Sequence, residues 1–139
     1  MNGYLLDTNV ISELTKKLPS PRVIEFLSEH GNLWLSTIVI HELEFGLQLL
    51  PQGNRRYSLQ SLLSEFIAGI EQQDHVLPLG RKEAELAARL RSQARRSGRV
   101  LQLGDALIAG TAKAHDLLVA TRNTEDFAGL DIKVENPWE

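Results

Sequence analysis

Asp7 stands directly after the apolar run Tyr4-Leu5-Leu6 and is followed by Thr8 and Asn9. An acid there can cap a helix starting near Val10, but Thr8 and Asn9 are equally good caps, so the helix does not need a carboxylate at that point. Glu42 is more pointed. On a helical wheel of about 100° per residue it shares an arc with Ile38, Phe45, Gly46 and Leu49, while His41, Glu44 and Gln48 lie on the opposite side. A buried face is a costly place for an unpaired carboxylate. Glu42 is therefore expected either to pair with an Arg or Lys, or to be a metal ligand or an acid held in a pocket. Asp105 opens Gly104-Asp105-Ala106-Leu107-Ile108-Ala109-Gly110, where the helix dipole favours an anion and the small residues beside it allow a close backbone approach. Thr121-Arg122-Asn123-Thr124-Glu125-Asp126-Phe127 adds Asn123 and Asp126 as acceptors, with Arg122 as a candidate counter-charge.

These residues need elements that bring them together. Tyr4–Leu6, Leu33–Leu35, Val76–Leu79, Leu117–Ala120 and 132–134 are short apolar runs that suit strands, and helical stretches separate them. The helical stretches are expected at 10–17, 22–30, 38–50, 54–74, 80–96 and 102–115, with Gly31, Pro51-Gln52-Gly53 and Ser97-Gly98 as stops. Strands that are apolar throughout and alternate with helices predict a three-layer α/β/α domain around a short, mainly parallel sheet, with an extra helical pair as decoration. Ligands of such sheets bind beyond the carboxyl ends of the strands. Asp7, Asp105, Glu42 and Asn123 or Asp126 would all meet at that edge.

Acids gathered so closely cannot all ionise without a cation. A hard divalent ion, Mg²⁺ or Mn²⁺, with oxygen ligands and retained waters resolves the conflict. Softer metals lack ligands: the chain has no cysteine, and His30, His41, His75 and His115 are scattered. A magnesium–carboxylate site suits phosphoryl chemistry.

Composition sets the outer bounds. The 139 residues, 42% hydrophobic and 24% charged, fit one globular domain over 1–139 with no repeat or linker. The longest nearly apolar run, Leu33 to Ile40, is far below the ~20 residues that span a bilayer, and the first residues do not resemble a signal peptide, so a cytoplasmic, membrane-free protein is expected. Fifteen basic against eighteen acidic residues give −3, a weak argument against a nucleic-acid partner. Arrangement matters more than the sum. Arg91, Arg95 and Arg99 are spaced i, i+4, i+8 and form a rail for RNA if the helix reaches Arg99, with Arg55-Arg56 as a further pair. Few aromatic residues are available as stacking platforms, which favours recognition of phosphate and backbone shape.

Taken together, LLDTNVISEL at 5–14, STIVIHELEFG at 36–46 and GDALIAGTAKAHDLLVATRNTEDF at 104–127 resemble the PIN-domain ribonucleases and, within them, the VapC-type toxins. The resemblance covers essentially the whole chain. It matches Asp7, Glu42 and Asp105 to three acidic metal-site positions, places the fourth on Asn123 with Asp126 close behind, and matches Thr8, Asn9 and Thr121 to supporting polar positions. It implies an endoribonuclease that needs Mg²⁺ or Mn²⁺, cuts single-stranded RNA and leaves 5′-phosphate and 3′-hydroxyl ends. It also implies a homodimer and a VapB-like antitoxin, through which operator DNA is bound.

Other functions gather acids at a parallel-sheet edge. A receiver-like phosphoacceptor wants paired acids after the first strand and a Lys after the last, and a dehalogenase-like phosphatase wants an Asp where Asn9 stands. The remaining alternative is an inactive PIN-fold interaction module acting through its partner. An apolar groove for the antitoxin is expected near Val10, Ile11 and Leu14.

Overall fold

The structure is a computed structural model, described over residues 3–139. Tyr4–Leu6 (β1), Leu33–Ser36 (β2), Val76–Leu77 (β3), Leu118–Ala120 (β4) and Val134–Glu135 (β5) form one sheet in the order β3-β2-β1-β4-β5. Every pairing is parallel, with Tyr4 opposite Leu33 and Leu118, and Leu35 opposite Val76. The expected mainly parallel sheet is thus wholly parallel. Leu5, Leu6, Leu35, Val119 and Ala120 are fully buried, as befits strands covered on both faces.

The helices are Thr8–Ser12 (α1), Pro21–Glu29 (α2), Thr37–Gln48 (α3), Asn54–Glu71 (α4), Arg81–Arg96 (α5) and Leu103–His115 (α6). The stretch expected as one helix over 10–17 divides into α1 and a 3₁₀ turn, Glu13–Thr15. Ser36 caps α3, its hydroxyl accepting from Ile38 N at 3.2 Å. Helix α5 stops at Arg96 in a turn through Ser97 and Gly98, whose positive φ suits glycine.

Helices α5 and α6 pack most closely, and Gly110 is the reason. A Cβ there would lie 2.6 Å from both Glu83 O and Ala87 N, so the backbones meet with no side chain between them. Helix α5 is thus received at Gly110, about 140° round α6 from Asp105. Buried Glu83 closes the same contact, accepting from Gly80 N at 2.8 Å and bonding His115 Nε2 at 2.9 Å.

Helix α3 departs from its expected orientation. Val39, Leu43 and Leu47 are its buried stripe, whereas Phe45 and Leu49, expected beside Glu42 in the interior, are 59% and 70% exposed. The core face is turned about 100° from Glu42, one residue step on the wheel. Val10 and Ile11 are fully buried in the core, while Leu14 is half-buried. An open groove of about 740 Å³ lies along α5 and α6, floored by Ala87, Leu101 and Leu107 and rimmed by Arg91, Arg95 and Arg99.

Candidate active site

The parallel register brings the carboxyl ends of β1 and β4 side by side, with Asp7 N donating to Ala120 O at 2.9 Å. Asp7, 6% exposed, lies just past β1, and fully buried Thr121 lies just past β4. Asp7 does cap α1, accepting from Thr8 N at 2.7 Å. Its other oxygen accepts from Thr121 Oγ1 at 2.8 Å and Asn9 Nδ2 at 3.3 Å. Asn9 also donates to Thr121 Oγ1 at 3.3 Å and accepts from Arg122 N at 3.2 Å, tying the two strand ends together. Thr8, Asn9 and Thr121 thus surround Asp7 and hold it in one orientation.

Glu42 is half-buried on α3 and is joined to this network by Thr8, whose hydroxyl donates to Glu42 Oε1 at 3.0 Å. No Arg or Lys pairs with it among the described residues. A Cβ on Gly104 would sit 3.8 Å from either Glu42 oxygen, which places Glu42 against the first turn of α6 that carries Asp105. The Asp105 carboxylate accepts no hydrogen bond from a described residue. Glu44, by contrast, is exposed and accepts from Gln48 Nε2 at 3.1 Å.

The two candidates for the fourth position differ in what they do. Asn123 is exposed, begins the 3₁₀ turn Thr124–Phe127, and donates its backbone N–H to Thr121 Oγ1 at 3.1 Å. Asp126, within that turn, is close enough for its charge to act on both Asp7 and Asp105. Arg99 holds the turn from outside. Its guanidinium donates to the carbonyls of Glu125 at 3.0 Å, Asp126 at 3.3 Å, and Ala128. This role was not foreseen from the arginine spacing, because the i, i+8 relation to Arg91 holds only if α5 continues, and it ends three residues earlier, at Arg96.

The electrostatics follow from this placement. Burial pushes the Asp7 carboxyl up, Thr121 and Thr8 oppose the shift by hydrogen bonding, and the charges of Glu42 and Asp126 add to it. Asp105 is pushed up to about 6, by burial first and then by Asp7, Asp126 and Glu42. These acids destabilise one another as anions, and a cation would remove the conflict. Among the described residues no three Asp, Glu or His side chains stand ready-made at ligand spacing. Mg²⁺ does not require such a cage, since one or two carboxylates plus water commonly hold it. The donor set, all oxygen and acidic, fits a hard divalent ion.

His30, His75 and His115 are engaged elsewhere. His30 bonds Phe26 O at 2.9 Å, His75 bonds Leu33 O at 2.9 Å and stacks on Trp34, and His115 pairs with Glu83.

The model of the PIN domain family matches residues 4–133. The chain belongs to the PIN-domain family. It is 40% identical over 138 residues to the VapC ribonuclease Y4jK of Sinorhizobium fredii, covering 97% of each chain. It is 38% identical over 136 residues to Toxin FitB of Neisseria gonorrhoeae, covering 96% of this chain and 97% of that one. Among solved structures, FitAB bound to an IR36 DNA fragment matches with a TM-score of 0.89 and 36% identity, covering 98% of this chain and 96% of that one. This PIN domain therefore stands among VapC- and FitB-type toxins. Among its described residues no helix is long and apolar enough to cross a membrane.

Proposed function

We propose that this PIN domain is a divalent-metal-dependent endoribonuclease that cuts single-stranded RNA in the cytoplasm as the toxin of a toxin–antitoxin pair. The observation that carries the reading is the coupling of Asp7, Glu42, Asp105 and Asp126 at one sheet edge, with Asp7 buried and oriented by three polar neighbours. The ribonuclease and toxin names of its relatives support the same reading.

Asp7, Asp105 and Glu42 are the residues that would hold Mg²⁺ or Mn²⁺, with Asp126 rather than Asn123 completing the acidic edge. When bound, such an ion makes water more acidic and offsets charge developing on a phosphodiester. Thr121, Asn9 and Thr8 keep Asp7 aligned, and Thr8 also steadies Glu42. Asp105 is pushed up to about 6 in the metal-free chain, so below that pH a cation binding there displaces a proton. Arg91 and Arg95, exposed on α5, supply positive charge against which an RNA strand can run. FitAB, a two-component complex on DNA, supports pairing with an antitoxin and contact with operator DNA through it. An antitoxin segment lying in the α5–α6 groove would cover the same arginines and inhibit by occlusion.

The test is incubation of the partner-free chain with a single-stranded oligoribonucleotide and the matching deoxyribonucleotide, with Mg²⁺, Mn²⁺ or EDTA. Cleavage of the RNA with either ion, its loss in EDTA and 5′-phosphate ends are expected. Undiminished cleavage in EDTA would remove the metal from the account, and no cleavage in any arm would favour the inactive interaction module.

A further inference from the structure

Six of the fifteen Lys and Arg side chains have a named partner. Lys16 pairs with Glu13, Arg56 with Gln48, Arg81 with Glu85, Arg96 with Ser92, and Lys113 with Asp131, while Arg99 is committed to the turn that carries Asp126. Arg122 differs. Its backbone N–H bonds Asn9, placing it one residue from Thr121 and directly on the network around Asp7. Its guanidinium is exposed and has no hydrogen-bond acceptor among the described residues.

That guanidinium is nonetheless held. It lies over the ring of Trp138, 5.2 Å from the centroid, within the range of a cation–π contact. Trp138 is half-buried just past β5, in a turn where its N–H donates to Asn136 Oδ1 at 2.9 Å and Glu139 N to Asn136 O at 3.2 Å. Buried Glu13, itself fixed by Ser20 N at 2.7 Å and Lys16 at 2.8 Å, is near enough to feel the Arg122 charge. The carboxyl end of β4 therefore sets the Arg122 backbone beside the acidic crevice, while its guanidinium, with its fork of donors unused, rests over Trp138 and within reach of the Glu13 charge. A phosphodiester approaching carboxylates needs such a donor, and a guanidinium fork matches two phosphate oxygens.

We propose that Arg122 is a substrate-binding residue that grips a phosphate adjoining the scissile linkage of single-stranded RNA, and that Trp138 is the positioning residue that keeps its guanidinium in place. The assignment rests on the ribonuclease reading above.

Anisotropy of a fluorescein-labelled single-stranded oligoribonucleotide in EDTA, over a series of salt concentrations, tests it, together with kcat and KM for cleavage in Mg²⁺. Arg122→Ala is expected to weaken binding about tenfold at low salt. The slope of log K against log salt should become shallower by about 0.7, the share of one phosphate on a single strand. KM should rise by a similar factor while kcat changes less than about twofold. Arg122→Lys should keep the slope but lose part of the affinity, since charge remains and the fork does not. Trp138→Ala should lose part of the affinity and Trp138→Phe restore it. Wild-type affinity and slope in Arg122→Ala overturn the proposal, and so does weaker binding with an unchanged slope and a lowered Tm, the signature of a purely structural contact. A wild-type chain that cleaves while Arg122→Ala behaves normally removes this assignment alone. A wild-type chain that neither binds nor cleaves RNA removes the ribonuclease reading and the assignment with it.

Discussion

Glu42 and Glu44 lie on one helix turn, yet their surroundings set them apart. Glu42 touches Thr8 and the first turn of α6, and Glu44 faces solvent with Gln48. Glu42→Gln should therefore cost orders of magnitude in cleavage rate, because it removes charge that a bound cation requires. Its Tm in EDTA should equal or exceed wild type, since the amide oxygen still accepts from Thr8 while repulsion toward Asp7 and Asp105 is relieved. Glu44→Gln should alter neither quantity by much. Paired rates and melting temperatures check this, and a Glu42→Gln chain that cleaves normally but melts well below wild type would make Glu42 structural. At this scale much was legible in the residues themselves. Asp7 and Asp105 stand where their sequence context put them, just past a strand and in the first turn of a helix. Asn123 and Asp126 could not be ranked, because their difference lies in a 3₁₀ turn held by Arg99 from 24 residues before Asn123 and beyond, a contact that no local pattern announces.

Helices α5 and α6 meet through backbone at Gly110, and this contact positions the N-terminal turn that carries Asp105. Gly110→Ala inserts a methyl group where Glu83 O and Ala87 N would be 2.6 Å away. The helices must separate, at a cost of about 1–3 kcal/mol. A Tm lowered by several degrees is expected, with activity reduced more than a remote surface change would reduce it. An unchanged Tm would show that the α5–α6 contact yields without cost. The small-residue face was visible in the order Ala106, Ala109, Gly110, although not which element it received. The face of α3 was harder to assign, because Ile38, Phe45 and Leu49 mimic a core stripe in sequence. Only the packing of Val39, Leu43 and Leu47 distinguishes the true core from an apolar face left open. Strand positions came closer, since a continuous apolar run flanked by breakers has few other places to go.

In the whole molecule, a five-strand parallel sheet aligns the carboxyl ends so that acids distant in sequence share one crevice. The sheet and its helices could be foreseen because every layer repeats one pattern, while the α5–α6 groove could not, since it depends on where α5 stops. The account's central claim is that this acidic edge is a divalent-cation site, and calorimetric titration of the partner-free chain with Mn²⁺ tests it most directly. Asp105 titrates at about 6, above its ordinary value, so protons compete with the metal below that pH and not above it. Mn²⁺ affinity should rise as pH increases through 6, with proton release on the acid side. Asp7→Asn and Asp105→Asn should both remain folded and lose binding. Equal Mn²⁺ affinity in wild type and in both variants, with no dependence on pH, would contradict the account.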